Sequence, residues 1–226
     1  MPAPAIGPTG RSALRRKRER GDHDRTVVNA ILDEGLVCHV GFSAGGSTYV
    51  TPMAYARIGD DLYLHGAPAN RTLRALAEGA EACVTVTLLD GIVLARSAFH
   101  HSMNFRSVML FGRAEQVADP DEQRRAAAAL ADHLAPGRSR DARGPNDREL
   151  RSVLIVRFPI AEGSAKVRTG PPLDDEDDLG LPVWAGEVPL RLESTDPVPD
   201  PALGPGVPVP AYVTGHRTRS PDPGPG

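Results

Sequence analysis

The stretch Thr51–Leu76, TPMAYARIGDDLYLHGAPANRTLRAL, decides how the rest of the chain is read. It runs as a strand, a tight turn at Gly59-Asp60-Asp61, a second strand ending at His65-Gly66, a loop, and then a helix. The loop and helix start carry Asn70, Arg71, Thr72 and Arg74. A helix start presents unpaired N–H groups and the positive end of the helix dipole. An arginine and a hydroxyl at the same place complete the donor set of a phosphate cradle. The bland alternative is a solvated helix face, on which arginines are common. The glycine spacings of Walker and Rossmann phosphate loops are absent.

Upstream, LVCHVGFS (Leu36–Ser43) and STYVTPMAYARI (Ser47–Ile58) flank a turn at Ala44-Gly45-Gly46. Two hairpins therefore follow one another, which predicts an antiparallel meander. Pro52 has no N–H for a ladder, so it marks an edge or a bulge. Before them, DRTVVNAILDE (Asp24–Glu34) puts Val27, Val28, Ile31 and Leu32 on one helical face. Asp24 would cap that helix and Gly35 end it. Downstream, Ala82–Leu88 reads as a fourth strand, with Gly91–Ala95 extending it after a turn at Asp90-Gly91. Ser97–Asn104, SAFHHSMN, has no period. Arg106–Val117 is a fifth strand with Gly112 as a bulge, Asp119–Leu134 an Ala-rich helix, and Leu150–Ile160 a sixth strand. Strands with helices inserted between them, without strict β-α alternation, favour a mainly β fold: a closed or partly closed antiparallel barrel.

Charge divides the chain. Residues 1–25 hold seven basic and three acidic groups, residues 26–169 sixteen of each, and residues 170–226 three basic and ten acidic. The expectation is a loose basic arm at 1–23, a barrel domain at 24–169, and an acidic Pro/Gly-rich extension at 170–226. That extension would pack to about residue 192 and be unstructured beyond, since thirteen of the 22 prolines lie in 171–226. The neutral middle and the lack of aromatics beside RRKRER (Arg15–Arg20) argue against nucleic acid. No apolar run approaches the ~18 residues of a membrane span, and no apolar segment follows the basic stretch as in a secretory signal. Cys38 and Cys83 sit in apolar strands and read as buried thiols of a reducing compartment, so the expected location is cytoplasmic.

His65 ends a strand beside the cradle and could donate a hydrogen bond or move a proton. Lys166 is one of only two lysines, in SAKVR just after the sixth strand, where it could face an anionic ligand or a second subunit. These two are the candidate catalytic groups; the alternative is a structural histidine and an ordinary exposed lysine. His100 and His101 are adjacent, so in extended chain they point to opposite faces and do not make one metal site. No Cys, His or carboxylate cluster has metal-ligand spacing, and no GxSxG elbow is present.

Three groups of residues carry a resemblance: Thr51–Leu76; LLDGIVLARSAFHHSMNFRSVMLFGRAEQV (Leu88–Val117); and SAKVRTGPP with LPVWAGEVPL. They resemble the pyridoxamine 5′-phosphate oxidase-like family, in its flavin-nucleotide-binding branch that includes nitroimidazole-resistance-type reductases. The resemblance implies a six-stranded split β-barrel, a homodimer, and FMN in two grooves between subunits. It places the phosphate at His65, Gly66, Ala67, Asn70, Arg71 and Thr72. It places the ribityl chain and ring system along Thr51, Pro52, Met53, Asn104, Phe105, Arg106 and Ser107. Arg71 stands where members often have lysine, Ala67 where many have serine, and Phe105 where tyrosine is commoner. Contacts for a vitamin-B6 substrate are not evident. The implied function is an FMN-dependent oxidoreductase reducing a small organic acceptor, with a nitroaromatic as one candidate acceptor and NAD(P)H as one candidate donor. The alternatives are a non-catalytic flavin-nucleotide store or sensor, or a split barrel that uses F420 or haem.

Overall fold

A computed structural model describes residues 6–7, 9–14 and 17–215; Arg15 and Arg16 of the basic run, and residues 216–226, lie outside the described residues. The meander forms as its turns require. Strand β2 (Val37–Ala44) pairs antiparallel with β3 (Ser47–Ile58), and β3 with β4 (Asp61–Gly66). Gly59 adopts φ 61°, the left-handed conformation that a β-carbon disfavours. β3 does not pair on both sides along its length. Ser47–Ala54 bond to β2, whereas Tyr55–Ile58 bond to β4. Pro52 therefore sits where β3 has a free edge, which is the position a residue without an N–H tolerates.

The remaining strands extend this sheet. β5 (Glu81–Leu94) pairs with β2 and with β6 (Ser102–Arg113), and β6 pairs with β9 (Glu162–Arg168). On the far side β4 pairs with β8 (Leu154–Pro159). Short strands β1 (Gly21–Asp22), β7 (Glu115–Gln116) and β10 (Gly186–Pro189) add to β9, β8 and β5. Among the described residues β8 and β9 are consecutive but unpaired, so the curled sheet stays open there. The fold is a mainly β, antiparallel split barrel.

Helices cover the ends and flanks. α1 (Arg25–Glu34) is capped by Asp24, whose side chain accepts from Thr26 N, and it buries Val28, Ile31 and Leu32. α2 (Arg71–Ala77) begins at Asn70. α3 (Pro120–Leu134) has Asp119 as its cap and proline in its first turn. Short helices α4 (Arg138–Asp141), α5 (Asp147–Arg151) and α6 (Ala211–Thr214) follow. The barrel interior is aliphatic, with Val40, Leu62, Leu64, Val84, Leu110 and Val156 fully buried around Tyr55 and Phe158.

Six expectations change. Lys166 lies within β9 rather than after the last strand, because the Ala161 turn sends the chain straight back along β6. β6 starts at Ser102, inside the stretch without a period, and Gly112 is in register with Ala82 rather than bulged. Leu150 belongs to α5, whose Asn146–Glu149 capping box fixes a turn of helix before β8. The arm is anchored: Ile6 is buried, Arg11 bonds Glu162 at 2.7 Å and also reaches Glu81, and β1 joins β9. The acid run is not all solvated, since Asp174 is enclosed beside Arg96 at 2.8 Å.

Candidate functional site

The first cluster of predicted residues gathers where β3 has its free edge and α2 begins. Asn70 Oδ1 accepts from Leu73 N at 3.1 Å and its own N–H donates to Ala67 O at 2.9 Å, which fixes the start of α2. Thr51 and Thr72 share a hydroxyl–hydroxyl bond of 3.0 Å between β3 and α2. The Arg71 guanidinium lies over the Tyr49 ring, 4.9 Å from its centre. A β-carbon on Gly66 would stand 2.9 Å from Leu73 Cδ1, so a larger residue there would displace the Leu73 side chain. Ala67 is exposed, and His65 is open to solvent on one side. Packing on its other side pushes the His65 pKa below the ordinary histidine value. The imidazole is therefore neutral at pH 7, able to donate from one nitrogen and accept at the other.

The second cluster lies on β6 and β9. The Lys166 ammonium is 6.0 Å from the centre of the Phe105 ring, and Ser107 Oγ donates to Lys166 O at 3.4 Å. Asn104, Arg106 and Met53 do not offer their side chains. Asn104 is buried between Arg168 and Glu187. Arg106 is tied to Asp90 by bonds of 2.9 and 2.8 Å and to Glu34. Met53 packs in the core. The reason is alternation: Asn104 and Arg106 point away from the face that carries Phe105 and Ser107.

What joins the clusters is a face that sequence reading did not single out. The register sets Pro52, His39, Thr85 and Met109 in one row across β3, β2, β5 and β6. Val50, Gly41, Cys83 and Phe111 form the next row. Further along stand Thr87, Ser107 and Lys166. Val50 is 66% exposed, and Leu89, Val37 and Met109 are 47, 47 and 44% exposed. Lys166 closes the third row, and the second row runs on from Phe111 to Glu162, which is paired with Arg11. Pro52 and Met109 are three strand spacings apart, ~14 Å, and Phe105 is a further ~13 Å along β6. Within one chain the cradle and the Phe105–Lys166 group therefore do not meet. The alternation of large apolar and small polar residues on β2, β3 and β5 was the signal available in the sequence, and it reads equally well as a solvated barrel exterior.

Among the described residues no three His, Cys, Asp or Glu side chains are grouped to hold a metal ion, and no helix is long and apolar enough to cross a membrane. The comparisons agree with the geometry. The family described as pyridoxamine 5′-phosphate oxidase matches residues 24–167. The flavocytochrome Anf3 from Azotobacter vinelandii is 41% identical, covering 92% of this chain and 97% of its own, with a TM-score of 0.87. The FAD and haem binding protein from Mycobacterium smegmatis is 36% identical over 88% of this chain and 97% of its own, with a TM-score of 0.84. A candidate 5-nitroimidazole antibiotic resistance protein from Bacteroides thetaiotaomicron is 27% identical over 65% of this chain and 86% of its own, with a TM-score of 0.55. No curated protein matches the chain.

Proposed function

The chain belongs to the pyridoxamine 5′-phosphate oxidase family, in its flavin-binding split-barrel part, and from that premise we propose that it is an oxidoreductase carrying both a flavin and a haem. The observation that carries this reading is the 41% identity, over nearly the whole of both chains, to a protein named as a flavocytochrome. The relative named for FAD and haem favours FAD over the FMN expected from the sequence. The proposed working unit is a homodimer. The exposed apolar rows of β2, β3, β5 and β6 supply the contact, and pairing brings the cradle of one chain toward the Phe105–Lys166 group of the other.

The residues present fit a flavin nucleotide. Arg71 keeps a positive charge at the start of α2, where it meets a phosphate as a two-pronged donor. The Thr51–Thr72 pair ties α2 to β3 beside Arg71. Neutral His65 holds a proton at one ring nitrogen and presents it beside the cradle. Lys166 fixes a positive charge beside the flat Phe105 surface, which favours a negative charge on a ring placed there. The apolar face excludes water from the space between the copies. A bound flavin supplies electron uptake from NAD(P)H and its release to an acceptor. The likeness to the nitroimidazole-resistance candidate supports a small organic acceptor such as a nitroaromatic.

The test is the purified full chain. Flavin bands and a Soret band, with FAD found by mass spectrometry of the extract, are the expected result. A colourless protein that takes up neither FAD, FMN nor haem contradicts the reading; FMN or F420 in the extract corrects the cofactor.

A further inference from the structure

Arg71 is held by a ring and not by an acid. Its guanidinium lies over Tyr49, 4.9 Å from the ring centre, and among the described residues it makes no ion pair and no hydrogen bond. Arg57, Arg96, Arg106 and Arg157, by contrast, turn their N–H groups to carboxylates. Arg11, which lies over Phe111, is also tied to Glu162 and Glu81. A ring face takes the flat face of a guanidinium and leaves the N–H groups around its edge open. A carboxylate would occupy two of those donors and offset the charge. Arg71 is therefore held with its donors and its charge still available.

The β2–β3 hairpin builds this support. Gly45 and Gly46 turn the chain at φ 56° and 79°, and the register sets Tyr49 directly across from Phe42. The two rings stack, with 5.3 Å between centres and 22° between planes. Phe42 is buried in the core, and half-buried Tyr49 packs against that core. Alternation puts Thr51 on the same side of β3 as Tyr49, and Thr51 bonds Thr72 at 3.0 Å. β3 thus holds two consecutive residues of α2, Arg71 through a ring and Thr72 through a hydroxyl.

We propose that Tyr49 is a positioning residue for the flavin phosphate: its ring, seated on Phe42, holds the Arg71 guanidinium in place with its donors open. The proposal rests on Arg71 as the phosphate contact of the function proposed above, and names what orients it. Tyr49 acts through Arg71, so its effect follows the phosphate and not the flavin ring system. Among the described residues the Tyr49 hydroxyl has no hydrogen-bond partner, so phenylalanine would serve equally.

Fluorescence titration of the full chain with FAD, FMN and riboflavin tests it; FMN and riboflavin differ by the phosphate alone. Tyr49→Leu is expected to weaken FAD and FMN binding about two- to fivefold and to leave riboflavin binding unchanged. Tyr49→Phe is expected to bind all three as the native chain does. In the Arg71→Ala background Tyr49→Leu is expected to cause no further loss, because the ring then has nothing to hold. Denaturant unfolding checks that each variant is folded, and Tyr49→Met carries the same expectation if the leucine chain is not. Native FAD and FMN affinity in Tyr49→Leu overturns the assignment, as does an equal loss for riboflavin. A Tyr49→Leu loss that persists in the Arg71→Ala background overturns it too, and that comparison decides alone if riboflavin binds too weakly to titrate. Arg71→Ala with unchanged FAD and FMN affinity overturns the phosphate reading itself, and this assignment with it.

Discussion

The two faces of the same sheet obey different rules. Inside, Val84 and Leu110 are fully buried, and everything they touch is supplied by this chain. One residue along on each strand, Thr85 and Met109 face outward beside Pro52 and Val50, and the surface they make is apolar and open. The inner face explains why the chain folds. The outer face is the kind that soluble proteins cover, with a partner or a ligand. The difference separates residues that hold the barrel together from residues that give it a use.

That contrast can be broken from the inside first. Leu110→Ala should cost about 2–5 kcal/mol of unfolding free energy, because a buried leucine leaves a cavity; Met109→Ala next to it should change stability by less than about 0.5 kcal/mol. Denaturant unfolding of both variants checks this, and equal effects would erase the distinction between the faces. Next, Arg71→Ala should weaken flavin binding by about 1.5–3 kcal/mol, the range for a lost charge-assisted bond. Fluorescence titration reads it, and unchanged affinity would move the phosphate elsewhere. Third, Val50→Glu should weaken self-association at least about tenfold, or about 1.4 kcal/mol, by burying an unpaired charge. Sedimentation at several concentrations reads it.

The smallest effect lies at the rim. Hydrogen bonding to Arg11 holds the Glu162 carboxyl down to about 2, well below the ordinary glutamate value of about 4.5. A depressed carboxylate contributes stability above about 4.5 and loses it as pH falls toward about 2. The anchored arm at Arg11 should therefore become more accessible to an acid-active protease across that window, with the barrel still folded. Equal cleavage at pH 5 and pH 2.5 would show that the pair does not hold the arm.

The same contrast explains what was legible in the sequence. The meander, α1, α2 and α3 follow from glycine turns, Asp and Asn caps and apolar spacing, and the structure places them within a few residues. The residues from His65 to Thr72 lie together because they sit on one short loop. β9 was not, because GSAKV is small and mixed, and its burial comes from pairing with β6, a contact far away in sequence. Asn104 and Arg106 misled for the same reason. Their partners Arg168, Glu187, Glu34 and Asp90 are distant, so nothing local says that these side chains turn inward. The outer apolar face was the least legible, because alternation does not say which of two faces is left open.

Native mass spectrometry of the full chain, sprayed with its co-purifying cofactor, tests the central claim most directly. The account predicts a dimer that keeps one flavin per chain, and loss of the flavin when Val50→Glu splits it. A monomer that retains flavin, or a dimer that never holds one, would contradict it.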